Sequence, residues 1–179
     1  MSTETPPAAA SIRLALPADA VRLAEFGART FEDAFGADNT PENMSLHLAR
    51  TYGVAHQTAE LDDPAMSTIV AESNGRLAAF AQLRAGPAPE SVTGGTPIEL
   101  HRFYVDRPWH GQGVARALMA AIDREAARRG AVVIWLSVWE HNERAKAFYR
   151  KCGFADVGGK AFVLGTDRQR DRVMARPVA

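Results

Sequence analysis

A chain of 179 residues, 46% hydrophobic and 23% charged, is long enough for one well-filled core and too ordinary in composition to be fibrous or low-complexity. Its 21 basic and 21 acidic residues give a formal net charge of zero, which argues against a surface built to grip nucleic-acid phosphates. A single cysteine, Cys152, excludes an intrachain disulfide and fits a reducing, cytoplasmic setting, and no run is apolar enough for a signal peptide or a membrane span.

In chain order, residues 1–10, with Thr5-Pro6-Pro7 followed by alanines, read as a disordered leader, and residues 11–179 as one domain. Ile12 to Leu16 alternates as a short strand. Pro17 opens a helix carrying Val21, Leu23, Ala24, Ala28, Phe31 and Phe35, which Gly36 stops. Thr40 caps a second helix, and a third covers Val54 to Leu61. Ser67–Glu72, Asn74-Gly75 and Arg76–Arg84 form a hairpin, since Asn-Gly supplies the two positive-φ residues of a tight turn. A polar loop with three Pro and three Gly runs from Gly86 to Pro97. A strand, Ile98–Val105, then leads to a helix from Gly113 to Arg129 that Gly130 ends. Ala131–Val138 is a nearly continuous apolar strand, Asn142–Cys152 a helix, and Phe154–Leu164 and Asp171–Pro177 a closing pair of strands. The mixture indicates an α/β (α+β) fold with a mostly antiparallel sheet.

Two segments carry chemistry. His110-Gly111-Gln112-Gly113-Val114-Ala115-Arg116 sits between strand and helix. A helix start presents unpaired N–H groups and positive partial charge, glycines let an anion approach the backbone, and Arg116 adds a full charge. No Lys-Ser or Lys-Thr follows, so it is not a P-loop, and Arg116 stands where a dinucleotide fingerprint has its third glycine. Taken alone, the glycines fit a sharp turn equally well. The second segment joins Asn142, placed to cap its helix, to Tyr149 on nearly the same face, about 10 Å further along the axis.

Together these segments resemble the GNAT (GCN5-related) N-acetyltransferase family. His110-x-x-Gly113-x-Ala115 is similar to the family's Gln/Arg-x-x-Gly-x-Gly/Ala, with His110 as the departure. Asn142-x-Arg144-Ala145-x-x-Phe148-Tyr149-x-x-x-Gly153-Phe154 is similar to its C-terminal motif. Thr30-Phe31-x-x-Ala34-Phe35, Trp135 through Asn142 and Phe162-x-Leu164-Gly165-x-Asp167-x-Gln169-x-Asp171 resemble PaiA-type polyamine acetyltransferases.

The resemblance implies one twisted sheet of six to seven strands with four to five helices, splayed between the fourth and fifth strands. It implies acetyl-CoA as cosubstrate, its pantetheine arm against the backbone of Phe103, Tyr104 and Val105. Its pyrophosphate would lie on His110, Gly111, Gln112, Gly113, Val114, Ala115 and Arg116, with Asn142, Ala145 and Phe148 beside it. Transfer is expected to be direct, with an amide near Tyr104 facing the thioester oxygen, Tyr149 protonating the leaving thiolate and Glu99 taking the amine's proton. Glu99 reads more readily as a solvated or ion-paired strand residue. Phe31, Phe35 and Trp139 are expected to line the acceptor pocket with Glu32 and Asp33, unless those two are merely solvated. No metal is expected, because His47, His56, His101, His110 and His141 show no ligand spacing. The expected partner is a small-molecule amine, a polyamine such as spermidine, with homodimerisation as a family analogy and no nucleic acid or membrane. An amino acid, a peptide N-terminus or an amine antibiotic remains open as acceptor, as does a non-catalytic acyl-CoA sensor.

Overall fold

The computed structural model describes residues 10–179. The expected leader therefore lies outside the described residues except for Ala10, which packs against the core. Seven strands form one sheet in the order β1-β2-β3-β4-β5-β7-β6. They are β1 (Ser11–Leu14), β2 (Met66–Ser73), β3 (Arg76–Ala85), β4 (Pro97–Val105), β5 (Val133–Trp139), β6 (Ala155–Leu164) and β7 (Asp167–Pro177). Five helices accompany them: α1 (Ala20–Phe35), α2 (Pro41–Thr51), α3 (Val54–Asp62), α4 (Val114–Arg128) and α5 (Glu143–Lys151).

Local chemistry sets several boundaries. Pro17 opens a 3-10 turn, Pro17–Asp19, ahead of α1 rather than α1 itself. Thr40 caps α2 by accepting from the Asn43 amide at 3.3 Å. Asn74 and Gly75 turn the β2–β3 hairpin at φ 50° and 73°. The last strand begins at Asp167, four residues before the expected Asp171, because Gly165 and Thr166 already complete the turn out of β6.

Every neighbouring pair is antiparallel except β4 and β5. These two run parallel and pair only through Pro97–Val133, Ile98–Ile134 and Glu99–Trp135. Beyond Glu99 they part, as the resemblance implied. Opposite β3, Arg102 pairs with Gln82 and Leu100 with Leu83, so His101 is an extra residue that bends β4 where the strands separate. The sheet buries both faces. Under α4 and α5 lie Leu83, Ile98, Leu118, Ile122, Ile134 and Leu136. Leu23, Phe26, Val70 and Phe80 fill the other face beneath α1, and Phe31, Met44, Tyr52 and Leu164 continue it under α1 and α2.

Candidate active site

The gap between β4 and β5 is lined by backbone that no strand pairs. The Asp106 amide donates to Ala78 C=O at 2.9 Å, which makes Val105–Ala79 the non-hydrogen-bonded kind of pair and Tyr104–Phe80 the hydrogen-bonded kind. The amides and carbonyls of Phe103 and Val105 therefore point into the gap. Tyr104's are spent on β3, so the expected amide near Tyr104 is that of Phe103 or Val105. Tyr104's side chain turns to the α1 face, 5.5 Å from the Phe80 ring centroid.

The turn Arg107–Trp109 carries the chain from β4 to α4. Gly111 and Gly113 take φ 77° and 82°, and Gly113 stands in the N-cap position of α4. The first intrahelical bond runs from the Ala117 amide to Gly113 C=O at 3.0 Å, so the amides of Val114, Ala115 and Arg116 have no helical acceptor. A Cβ on either glycine would meet no atom within 4 Å, so the backbone there is open to an approaching group. That is a cradle for a phosphate, and the residues present fit one. The side chains of His110 and Gln112 bond within the loop itself. The His110 ring lies 2.8 Å from Val105 C=O, and the Gln112 side chain donates to Pro108 C=O, so both brace the loop internally.

Across the gap, Asn142 caps α5 by accepting from the Ala145 amide at 3.1 Å. The cap uses the oxygen and leaves the side-chain NH2 to donate. Two turns on, Tyr149 is buried among the rings of Phe103 (6.2 Å), Phe148 (5.6 Å) and Phe154 (5.7 Å). Burial holds its phenol well above the ordinary value, so it stays protonated at neutral pH. Phe148 packs on Phe103 at 5.4 Å and links the two arms of the gap. Cys152, in the last turn of α5, also has its thiol raised by burial, which suits packing rather than nucleophilic work.

On the opposite face, under α1 and α2, aromatic rings gather. Phe31 stacks on His47 at 4.4 Å, touches Phe35 at 4.7 Å and meets Tyr104 edge-on at 6.4 Å. Phe35 meets Trp139 at 6.3 Å, and His47 meets Phe162 at 5.9 Å. The structure thus brings together Phe31, Phe35 and Trp139 as expected. It does not bring the expected carboxylates: Glu32 and Asp33 are exposed, and Asp33 is ion-paired with Arg29. Glu32 instead lines a groove of about 520 Å³ between α1 and α2, with Pro41 and Met44.

Sequence reasoning missed the polar groups beneath these rings. Arg102 is buried, donates to Glu60 at 2.6 Å and to Gln82, and lies over the Tyr52 ring. The Tyr52 hydroxyl reaches that of Tyr104 at 3.3 Å. Asp171, on β7, is 6% exposed, and burial raises its carboxyl pKa against the lowering effect of a Ser137 hydrogen bond. No local spacing signalled these, because each partner comes from a different element. Glu99 sits at the vertex of the splay, 2.6 Å from Arg84, with His101 at 3.6 Å. Burial pushes its carboxyl up, but His101 and Arg84 outweigh that and hold it below the usual range.

The fold and the site combine a split sheet with unpaired backbone, a helix start with free amides and a buried phenol. The chain belongs to the acetyltransferase (GNAT) family, whose model matches residues 30–154, and it is an N-acetyltransferase of that family. It is 34% identical over 158 residues to an uncharacterised N-acetyltransferase of Mycobacterium bovis, covering 88% of this chain and 97% of the relative. It is 31% identical over 147 residues to an uncharacterised N-acetyltransferase of Lactobacillus delbrueckii subsp. lactis, covering 82% and 85%. Among solved structures, PaiA N-acetyltransferase from Thermoplasma acidophilum in complex with coenzyme A shares the fold at TM-score 0.76 and 16% identity, over 95% of this chain and 99% of that one. Among the described residues, no helix is long and apolar enough to cross a membrane.

Proposed function

We propose that this enzyme transfers the acetyl group of acetyl-CoA directly to a primary amine of a small cationic molecule, with polyamines such as spermidine as the favoured class. The observation that carries this is the two-sided construction of the gap. Unpaired β4 backbone and the α4 amides suit the cosubstrate, and an aromatic cluster faces them from the α1–α2 side. Electron-rich ring faces attract cations, which suits a protonated amine. The structural likeness to PaiA supports the same class.

Acetyl-CoA supplies an acetyl thioester, and the chain's residues do the rest. The amides of Phe103 and Val105 hold the pantetheine arm like an added strand, and one of them faces the thioester oxygen as charge develops there. Val114, Ala115 and Arg116 hold the pyrophosphate at the start of α4. Asn142 donates to the arm, and Tyr149 protonates the departing sulfur. Glu99, ion-paired with Arg84, is ionised but a weak proton acceptor, so we assign it the positioning of β4 at the vertex.

The test is an amine screen with acetyl-CoA, following release of the free thiol. Spermidine, spermine and putrescine are set against free amino acids, an N-terminal peptide and an aminoglycoside. Transfer to the polyamines with the highest kcat/KM is the expected result. Preference for a peptide or an aminoglycoside would replace the acceptor and keep the reaction. Tight acetyl-CoA binding with transfer to no amine would make the protein a sensor and overturn the reading.

A further inference from the structure

The geometry points to Asp171 as the group that receives the acceptor: its carboxylate binds the incoming ammonium at the base of the aromatic pocket and takes the proton that must leave before nitrogen can attack. This inference rests on the amine-acetyltransferase reading above and supplies the anionic group that reading lacks.

Sheet register places Asp171. It stands opposite Trp139 on β5 and opposite Lys160 on β6. Directly opposed residues share a face, so Asp171 projects to the same side as Trp139. By the same alternation Phe162 and Ser137 lie on that side, and so does the α1–α2 roof that brings Phe31, Phe35 and His47. Tyr104 reaches this side from β4 and is close enough for the Asp171 charge to oppose its ionisation. Asp171 therefore sits beside the open part of the splay, on the face opposite the one Tyr149 occupies.

Its partners set it apart. Asp19, Glu99 and Glu125 are also buried, and each is salt-bridged to an arginine: Arg13, Arg84 and Arg128. Among the described residues Asp171 forms no salt bridge. The Ser137 hydroxyl, two residues along the facing strand on the same side, favours its charged form, and Lys160 attracts it from a distance. A buried carboxylate is costly without a cationic partner. An ammonium arriving through the aromatic pocket is a partner of the right sign and size.

Burial also assists the proton transfer. It disfavours the charged forms of both groups, raising the acid and lowering the ammonium, so the gap between them closes. The charged and titratable groups facing Asp171 are Lys160 from β6, Glu140 from the end of β5 and Tyr104 from β4. In the complete step Asp171 takes one proton from the ammonium, and the freed nitrogen pair forms the N–C bond. The C–S bond breaks, and Tyr149 gives its proton to sulfur. The second nitrogen proton restores the Tyr149 hydroxyl, and Asp171 releases its proton to solvent.

The experiment measures kcat/KM against pH from 6 to 9, with spermidine or, should spermidine fail, the best acceptor of the panel. It compares wild type with Asp171→Asn and Ser137→Ala, with coenzyme A binding by calorimetry as the check on folding. With Asp171 able to take the proton from the ammonium, the wild type should be much flatter across this range than the Asn variant. In D171N only the free amine reacts. Its kcat/KM should fall about a hundredfold or more at pH 7 and climb about tenfold per pH unit, with coenzyme A affinity unchanged. In S137A, loss of the hydroxyl that holds the carboxyl down should move the wild-type acid limb, recorded for both proteins by extending the profile down to pH 4, to higher pH. That second readout stands even where D171N does not fold. An active wild type whose D171N variant keeps its rate and pH profile, or whose S137A variant keeps its acid limb, overturns the role of Asp171 and leaves the acetyltransferase reading intact. A wild type that binds acetyl-CoA and acetylates no amine overturns both.

Discussion

The acid role proposed for Tyr149 rests on three neighbouring rings. Phe103, Phe148 and Phe154 strip water from the phenol without offering it a charge, and a phenol in that setting keeps its proton until a stronger base appears beside it. A thiolate leaving acetyl-CoA would be desolvated in the same apolar gap, which raises its own proton affinity toward that of the phenol. Tyr149→Phe keeps the ring and removes the proton, so turnover should drop about a hundredfold or more while acetyl-CoA affinity changes little. Initial rates at saturating substrates, with coenzyme A titration alongside, check this, and unchanged turnover removes Tyr149 from the acid role. Gly27 in α1 matters for a different reason. A Cβ there would stand 2.6 Å from two Tyr52 ring carbons, and Tyr52 is wedged between Arg102 and the Tyr104 hydroxyl. Gly27→Ala should cost about 1–3 kcal/mol of stability in urea denaturation, because that ring has no free direction to move. Tyr149 was legible in the sequence because its partner Asn142 lies on the same helix. Gly27 was not, because the atom that forbids a side chain there arrives from the end of another helix.

At the scale of elements, the sequence marked what periodicity and turn chemistry control. The β2–β3 hairpin, the capped α2 and the glycine-led α4 stand where their residues put them. It could not show how β4 and β5 part, since that depends on an extra residue at His101 and on pairing that stops after Glu99. Nor could it show that the His110 ring braces the Val105 carbonyl. The loop before α4 yields a prediction that separates geometry from charge. Gly113→Ala strains a residue at φ 82° and puts a methyl group on backbone otherwise open to an approaching group. Loss of one charge-assisted contact is worth about 1.5–3 kcal/mol, so coenzyme A should bind at least about tenfold more weakly by calorimetry. The acceptor side has its own fastening. Asn43 in α2 accepts from the Thr166 amide at 2.9 Å and from its hydroxyl at 3.0 Å, which ties the β6–β7 turn to the roof of the aromatic pocket. Asn43→Ala should raise KM for the amine and leave the affinity for acetyl-CoA in place. A rise in both would mean that the tie supports the whole sheet and not the acceptor side alone.

Across the whole molecule, the carboxylates divide by sign. Asp19, Asp106 and Glu125 are held low chiefly by arginine hydrogen bonds, and in Glu60 and Glu99 the pull of basic partners exceeds the opposing effect of burial. Each binds fewer protons folded than unfolded, so each stabilises the fold above its unfolded pKa and loses that contribution as pH falls. Asp171 runs the other way. Burial raises it above its ordinary value of 3.8, so the folded state binds the extra proton and stability drops as pH rises from there through the raised value. Above that raised value the enzyme carries the cost of an ionised, buried carboxylate that no arginine offsets, a cost consistent with the proposed role of receiving a cationic substrate. Asp171→Asn keeps the shape and the Ser137 contact while removing the charge. Its Tm should exceed that of the wild type at pH 7, and the difference should vanish below pH 3.8, where the wild-type carboxyl is protonated in both states. Scanning calorimetry of the two proteins across that range decides it. A variant more stable at pH 7 and inactive would show strain held for function, whereas equal or lower Tm at pH 7 would mean that Asp171 is already satisfied by its neighbours.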